Sequence, residues 1–262
     1  MRRITHFFWH LFLVADFVLN AQIIKLRTRN DILLRHRLVK NTNRIGRKFI
    51  KAFDIKLTLN NPERLEEFKD KNYLAVANHV SYTDIILLAS LDGFVFITSV
   101  EMGKNPFLGS ITKLGGCLYT DRKKYVSLPK EIEKFAATIK AGFKVMLFPE
   151  GTSTNGDTVN DFRKSLFQVA LLAECPVLPI CIRYKTLDGK AIDKNNRDLV
   201  YWYGDMDFAP HFMKLLGHSL EVEIDILDPV YDPAIKTRQE LSNGIHNQIS
   251  ACYHQSDVYN SD

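Results

Sequence analysis

Residues 73–91 have the sequence YLAVANHVSYTDIILLASL, in which an apolar run, a polar stretch and a second apolar run follow one another. The first run, residues 73–77, is short and bounded by polar residues, which is typical of a buried β-strand. The second run, residues 85–91, is predicted to be helical. The segment therefore predicts a strand, a polar loop and a helix, and such strand-end loops are favoured places for functional sites in α/β folds.

Short apolar runs of the same kind recur along the chain, with helical patterns between them. They lie at residues 94–98, 117–120, 144–148, 177–182 and 220–227, and each is predicted to be a strand. Residues 128–141 and 162–173 have apolar side chains at the three- and four-residue spacing of helices. This alternation predicts an α/β fold with a mostly parallel central sheet flanked by helices.

Size and charge limit the classes of protein to which the chain can belong. With 262 residues, 46% of them apolar, it can bury one large core. Its formal net charge of +5 favours anionic partners such as lipid headgroups, nucleic acid or phosphorylated substrates. The positive charge is concentrated in residues 25–51, where ten basic side chains accompany one acid, Asp31.

The amino-terminal segment directly before this basic stretch is strongly apolar. Residues 7–24 contain fourteen apolar positions in eighteen. As a helix they reach about 27 Å, slightly less than the hydrocarbon thickness of a bilayer. Burying Asp16 in that hydrocarbon costs about 3 kcal/mol. We therefore expect a helix that lies in one leaflet with its basic neighbours on lipid headgroups, while a true span and a buried core helix remain alternatives.

The four cysteines show no pattern of a metal site or a disulfide framework. The cysteines lie at positions 117, 175, 181 and 252, without CxxC pairing or histidines at metal-ligand spacing, so we expect reduced thiols in a cytosolic environment and no bound metal. Residues 1–54 are expected to dock on a membrane, residues 55–252 to form the α/β domain, and residues 253–262 to be a disordered tail.

The polar loop of the opening segment contains His79 and Asp84, five residues apart. On one continuous helix they would lie about 140° apart, so their side chains can meet only if the residues between them turn. In such a turn the carboxylate accepts a hydrogen bond from one imidazole nitrogen, and the other nitrogen can take a proton from a substrate hydroxyl. The alternative is structural, because Asp84 could merely cap the following helix.

Two further strand-end segments carry polar residues. Residues 148–156, FPEGTSTNG, follow an apolar strand, and Gly151 would let backbone N–H groups approach an oxyanion or phosphate while Thr152 adds a hydroxyl. Residues 115–122, GGCLYTDR, end in Arg122, whose guanidinium could hold a phosphate through two hydrogen bonds. A surface turn for the first and a surface ion pair for the second are the structural alternatives.

These three segments, in this order, resemble the sequence blocks of the glycerolipid and lysophospholipid acyltransferase family, which includes the bacterial 1-acyl-sn-glycerol-3-phosphate acyltransferases. Residues 79–84 resemble its HxxxxD block, residues 116–122 its arginine-ending block and residues 148–152 its FPEGT block. A weaker fourth block is matched at residues 177–180. The resemblance covers about residues 55–230, and the amino-terminal segment looks like the membrane-docking helices of bacterial members.

The resemblance implies a reaction and a role for each residue. His79 would be the base that deprotonates an acceptor hydroxyl, and Asp84 would orient and charge-stabilise it. Arg122 and the loop containing Glu150, Gly151 and Thr152 would position the acceptor's glycerol phosphate. The acyl donor would be acyl-CoA or acyl carrier protein, with no cofactor and no covalent acyl-enzyme.

One position departs from the family pattern and leaves the acceptor open. Many members that use lysophosphatidic acid have arginine after the FPEGT threonine, whereas Ser153 stands there in this chain. Arg122 or a nearby lysine such as Lys113 could compensate for the missing cation. The sequences of this loop and of residues 202–206 look closer to those of members that acylate lysophospholipids with larger headgroups or lyso-ornithine lipids.

The expected function is O-acylation of a lysophospholipid, with 1-acyl-glycerol-3-phosphate as the leading acceptor and phosphatidic acid as the product. The enzyme would sit on the cytoplasmic face of a membrane, the inner membrane if it is bacterial. The alternatives are another lysolipid acceptor, a noncatalytic lipid-binding protein, or a hydrolase that uses the same histidine. Nucleic acid is not expected as a partner because no recognised module accompanies the basic stretch.

Overall fold

The computed structural model describes residues 2–121 and 126–255 as helices packed on both faces of one sheet. Its α-helices are α1 (Arg2–Arg27), α2 (Asp31–Ala52), α3 (Pro62–Glu67), α4 (Thr83–Leu91), α5 (Val100–Lys104), α6 (Leu108–Leu114), α7 (Leu128–Lys140), α8 (Gln168–Ala173), α9 (Phe208–Leu215) and α10 (Arg238–His254). Its strands are β1 (Ile55–Asn60), β2 (Leu74–Ala77), β3 (Phe94–Ser99), β4 (Leu118–Thr120), β5 (Lys144–Leu147), β6 (Val177–Leu187), β7 (Lys190–Ala191) and β8 (Leu220–Ile226). Short 3₁₀ segments lie at Lys164–Phe167, Arg197–Leu199 and Pro233–Ile235.

The sheet has the strand order β1-β8-β6-β2-β5-β3-β4, with β7 paired to β6. All neighbouring pairs are parallel except β6 with β8 and β6 with β7. The prediction of a mostly parallel α/β sheet is therefore confirmed. Because β2, β3, β4 and β5 are parallel neighbours, their carboxyl ends meet at one edge of the sheet. Residues 79–84 and 148–156 follow the carboxyl ends of β2 and β5, and residues 115–122 include β4.

Both faces of the sheet are covered, which explains why its central strands are short, continuous apolar runs. In β2, Leu74 and Val76 pack with residues of α7, α8 and α10, while Ala75 and Ala77 pack on the opposite face with residues of α4. All four side chains are fully buried. The six predicted strands are present, but β1 and β7 were not predicted from the sequence.

Two predicted boundaries are wrong. Residues 162 and 163, expected to begin a helix, are not helical, and the chain passes through a 3₁₀ segment before α8 begins at Gln168. The reason is that the Arg163 N–H donates to the Pro149 carbonyl (2.9 Å), which ties this stretch to the loop after β5. At the other end, α10 includes Tyr253 and His254, and the Tyr253 hydroxyl donates to the Gly156 carbonyl (2.8 Å). Residues 256–262 of the predicted tail lie outside the described residues.

The first two helices form a hairpin, and the one internal acid of α1 faces α2. The carboxylate of Asp16 accepts from Arg44 (2.8 Å) and Lys48 (2.7 Å) of α2. The His10 ring is buried, with its centroid 4.2 Å from that of Phe53. Leu13 and Phe17 are also buried, whereas nine large apolar side chains of α1 are exposed: Ile4, Phe7, Phe8, Trp9, Leu11, Phe12, Leu19, Ile23 and Leu26. By length and composition alone, α1 is the one helix within the described ranges that could cross a bilayer.

Helix α2 packs closely on α4, the helix that follows the polar loop. Gly46 permits this contact, because a Cβ atom there would lie 2.9 Å from the backbone carbon of Ala89. The Asn43 amide donates to the Ala89 carbonyl (2.8 Å), and the Arg47 guanidinium donates to the Ser90 carbonyl (3.2 Å). The amino-terminal hairpin is thus attached to the helix that carries Asp84.

Candidate active site

The site begins where β2 ends and the chain turns toward α4. The Asn78 side chain holds this end in place, since its amide donates to the Ile182 carbonyl (2.9 Å) and its oxygen accepts from the Ile182 N–H (2.8 Å). Residues 79–82 are not helical, and α4 begins at Thr83. The turn required to bring His79 and Asp84 together is therefore present.

Asp84 is fully buried, and its carboxylate accepts four hydrogen bonds. Oδ2 accepts from His79 Nδ1 (2.8 Å), from the Val80 N–H (2.8 Å) and from the Ser81 N–H (2.9 Å). Oδ1 accepts from the Tyr184 hydroxyl (2.6 Å). The two sequence alternatives thus coexist, because the same carboxylate stabilises the backbone turn and orients the imidazole.

Tyr184, on β6, was not predicted from the sequence as a site residue. Burial and the nearby charge of Asp84 raise the pKa of its hydroxyl well above the usual value, so it remains a proton donor. The hydroxyl of Thr83 lies 2.6 Å from it and donates in turn, since the single Tyr184 proton is directed to Asp84. A tyrosine within a strand of buried apolar residues was the only signal that the sequence offered.

These contacts fix the protonation pattern of the His79 ring. An ionised carboxylate only accepts hydrogen bonds, so Nδ1 carries the proton and Nε2 is left as the basic nitrogen. The side chain is 15% exposed, which leaves one side accessible to a substrate. Chemically, the arrangement is an oriented general base whose charge, once it is protonated, is balanced by Asp84.

The loop after β5 holds His79 from three directions. The Phe148 ring stacks on the imidazole with a centroid separation of 4.2 Å. Glu150 Oε1 accepts from the His79 N–H (2.7 Å), and the Thr154 N–H donates to the His79 carbonyl (3.0 Å). The second sequence segment is therefore part of the support of the base.

Glu150 is buried, and both of its carboxylate oxygens contact backbone N–H groups. Oε2 accepts from the Asn160 N–H (2.8 Å), while Oε1 is occupied by His79. Burial raises the pKa of Glu150 to about 7, although these hydrogen bonds partly oppose the shift. The substrate contact expected from the sequence stays a prediction, and the contacts present are those of a positioning residue.

Gly151 and Thr152 occupy the turn that follows. Gly151 has a φ of 77°, a left-handed conformation that favours glycine. Its N–H donates to the Phe148 carbonyl (3.1 Å), so in this structure that amide closes the turn instead of facing a ligand. Thr152 is exposed at the surface of the loop. Their predicted contact with the acceptor stays a prediction.

A cavity of about 750 Å³ lies at the carboxyl ends of β3, β4 and β5. Its wall includes Phe148, the residue that stacks on His79, together with Gly151 and Arg163. Arg163 was not predicted as a site residue, because only the folded loop brings it to Gly151. Ser99 and Thr120 add hydroxyl groups at the strand ends.

The predicted Arg122 lies outside the described residues, whereas Asp121 before it lines the cavity. Lys113, considered as a compensating cation, is an exposed residue of α6 and is not among the residues of the cavity wall.

The segment after the 3₁₀ turn Arg197–Leu199 covers the loop that contains His79 from the other side. The Ser81 hydroxyl donates to the Val200 carbonyl (2.8 Å), and the Trp202 N–H donates to the Val80 carbonyl (2.9 Å). The ring of Tyr82 packs against that of Trp202 at a centroid separation of 6.0 Å. Residues 202–206, which the sequence linked to lysolipid acceptors, therefore adjoin the His79 turn.

A second cluster of polar groups lies away from this cavity. The sulfur atoms of Cys181 and Cys252 and a carboxylate oxygen of Asp225 lie within 4.8 Å of one another. The carboxylate already accepts from Arg183 (2.8 Å) and Asn60 (2.9 Å). The carboxylate of Asp225 is thus already engaged in an ion pair and a hydrogen bond.

Comparison with known proteins adds a family to this geometry. A family model described as acyltransferase matches residues 56–183. A lyso-ornithine lipid O-acyltransferase of Brucella abortus is 30% identical over 68% of this chain and 70% of its own length. A 1-acyl-sn-glycerol-3-phosphate acyltransferase of Neisseria meningitidis is 29% identical over 79% of this chain and 78% of its own.

The chain belongs to the acyltransferase family. The crystal structure of a 1-acyl-sn-glycerophosphate acyltransferase from Thermotoga maritima supports the fold of this acyltransferase, with a TM-score of 0.68, 19% identity and full coverage of both chains. The family predicted from the sequence blocks is confirmed. Its named relatives act on lipids, and together with the apolar α1 they indicate that this acyltransferase associates with membranes.

Replacing Glu150 with glutamine should change how the stability of this acyltransferase depends on pH. The pKa of Glu150 in the folded protein is about 7, whereas an unperturbed glutamate has a pKa of 4.5. The protonated carboxyl therefore favours the folded state, and its stabilising contribution is complete below pH 4.5 and lost as the pH rises through 7. Glutamine does not titrate.

We expect the free energy of unfolding of the wild type to fall relative to that of Glu150→Gln by about 1–3 kcal/mol across this window. Urea unfolding of both proteins between pH 4.5 and pH 8 measures the difference. Parallel curves for the two proteins would show that Glu150 is not the buried, titrating group described above.

Proposed function

We propose that this enzyme transfers a fatty acyl chain from acyl-CoA or acyl carrier protein to the free hydroxyl of a lysolipid. The observation that carries the proposal is the oriented His79 ring, with Nδ1 bound to the buried Asp84 and Phe148 stacked on it at the wall of the cavity. Among the described residues, no serine, threonine or cysteine side chain is hydrogen-bonded to the His79 ring, which suits direct transfer between two substrates.

The proposed reaction needs one proton acceptor. The acceptor hydroxyl gives its proton to His79 Nε2 while its oxygen attacks the thioester carbonyl carbon. The carbon–sulfur bond then breaks, and the departing thiolate takes the proton back from Nε2 and leaves as a thiol. Asp84 stabilises the imidazolium that exists between these two steps, and Tyr184 and the two loop amides keep that carboxylate in place.

The leading acceptor is 1-acyl-glycerol-3-phosphate, which would yield phosphatidic acid. The name of the Neisseria relative supports it, and that relative is matched over most of both chains. A lyso-ornithine lipid is the second candidate, because the Brucella relative carries that name and the position after Thr152 holds Ser153 instead of arginine.

Residues 1–54 are proposed to dock the enzyme on the cytoplasmic face of a membrane, and residues 55–252 to carry out the transfer. The exposed apolar side of α1 supports docking within one leaflet, and the pairing of Asp16 with Arg44 and Lys48 of α2 supplies partners for its one internal acid. Because α2 packs on α4, docking would hold the His79 turn near the lipid surface.

Replacing His79 with alanine should abolish acyl transfer without unfolding the protein. Loss of a general base lowers rates by about 100- to 10,000-fold. Purified variants are incubated with acyl-CoA and 1-acyl-glycerol-3-phosphate, and thiol release and lipid products are followed by a thiol reagent and mass spectrometry. The control is His218→Ala, which removes a histidine that contacts Asp188 and Arg3 and should leave the activity unchanged.

The products separate the competing functions. Diacyl lipid that depends on His79 supports the transferase, whereas free fatty acid as the main product would indicate a hydrolase. A folded His79→Ala protein with near-wild-type transfer would rule out His79 as the base. If the wild type releases no thiol with any lysolipid, the result would instead favour a noncatalytic lipid-binding protein.

Charged substitutions on the exposed side of α1 should release the protein from membranes. Phe8 and Phe12 are 62% and 67% exposed, so aspartate there should leave the fold intact and disfavour insertion into lipid. We expect the double variant Phe8→Asp, Phe12→Asp to bind phosphatidylglycerol vesicles at least about tenfold more weakly than the wild type in flotation assays. The matched control is Ile235→Asp, an exposed apolar residue outside the hairpin, and equal vesicle binding by the double variant and this control would contradict docking through α1.

A further inference from the structure

Arg163 lies against Gly151 at the wall of the cavity beside His79. A Cβ atom built on Gly151 would lie 2.6 Å from Arg163 Nε and 2.8 Å from its Cζ, so the guanidinium rests directly over the glycine backbone. Any other residue at position 151 would push the guanidinium away and would also have to adopt a φ of 77°. The glycine of the FPEGT segment thus makes room for a side chain twelve residues further along.

The backbone fixes where this arginine stands. Its N–H donates to the Pro149 carbonyl (2.9 Å), and the 3₁₀ segment Lys164–Phe167 begins at the next residue. The Asn160 N–H, three residues earlier, is held by Glu150. Residues 160–163 are therefore tied at both ends to the loop that supports His79, and the guanidinium is placed by the same loop as the base.

Arg163 shares the described part of the cavity wall with the carboxylates of Glu101 and Asp121. It is the one cationic side chain in the described part of the cavity wall, and within the described ranges no ion pair is found for it. An exposed arginine with a fixed backbone is suited to bidentate binding of a phosphate or carboxylate.

We propose that Arg163, seated on Gly151, binds the anionic headgroup of the acyl acceptor and supplies the cation that Ser153 does not provide. This inference rests on the proposed function. In 1-acyl-glycerol-3-phosphate the reacting hydroxyl and the phosphate are separated by only a few bonds, which suits an anion site that shares the Phe148 wall with His79. The phosphates of acyl-CoA are the other source of the same chemistry, but the whole pantetheine arm separates them from the reacting thioester.

The test compares the KM values of the two substrates in Arg163→Gln and Arg163→Lys. With 1-acyl-glycerol-3-phosphate in mixed micelles, we expect Arg163→Gln to raise the acceptor KM about tenfold or more, while kcat and the KM for acyl-CoA stay within about twofold. Arg163→Lys should give a smaller rise, because an ammonium keeps the charge and loses the two-pronged contact. With monoacylglycerol, which has no anionic headgroup, neither variant should differ from the wild type.

Gly151→Ala provides a second variant that keeps the charge of Arg163 and displaces its guanidinium. It should raise the acceptor KM in the same direction, with folding checked by thermal unfolding. An unchanged acceptor KM in Arg163→Gln overturns the inference, as does a rise confined to the KM of acyl-CoA or a fall confined to kcat. If the wild type transfers acyl groups to no lysolipid, the proposed function itself is wrong, and the experiment does not concern Arg163.

Discussion

The buried carboxylate of Asp84 is the group on which the rest of the site depends. A charged carboxylate without solvent is stable only when donors surround it, and here the donors come from three places: the His79 ring, the backbone of the turn and the Tyr184 hydroxyl. Satisfying the charge therefore forces the chain to leave β2 in a turn and not in a helix. The same contacts orient the imidazole of His79. The stability of the turn and the orientation of the ring therefore have one cause.

The parallel sheet determines which other segments can support this turn. β5 is a direct neighbour of β2, so its carboxyl end delivers Phe148, Glu150 and Thr154 to His79. The buried Glu150 holds the His79 backbone and the distant Asn160 together, and through residue 160 it also positions Arg163. The His79 ring and the Arg163 guanidinium are thus placed by one loop.

The sequence predicted the fold class and six of the strands, because these strands are apolar runs bounded by polar turns. It missed β1, in which apolar and polar residues alternate without a continuous apolar run, and β7, which has two residues. It also predicted that His79 and Asp84 could meet. It could not find Tyr184 or Arg163, because each reaches the site only through the pairing of β6 with β2 or the folding of residues 160–163 onto the loop. The expected substrate contact of Glu150 was drawn from a motif, whereas its burial and its two amide partners are properties of the folded chain.

The most direct test of the central claim is the protonation state of the two His79 nitrogens. In detergent-solubilised protein labelled with ¹⁵N-histidine, the His79 signals can be assigned by their absence in His79→Gln. At a pH where the ring is neutral, the hydrogen bond to Asp84 predicts a protonated Nδ1 and an unprotonated Nε2, and Asp84→Asn should disturb this pattern. A neutral His79 with its proton on Nε2 would contradict the account, because no basic nitrogen would then face the acceptor.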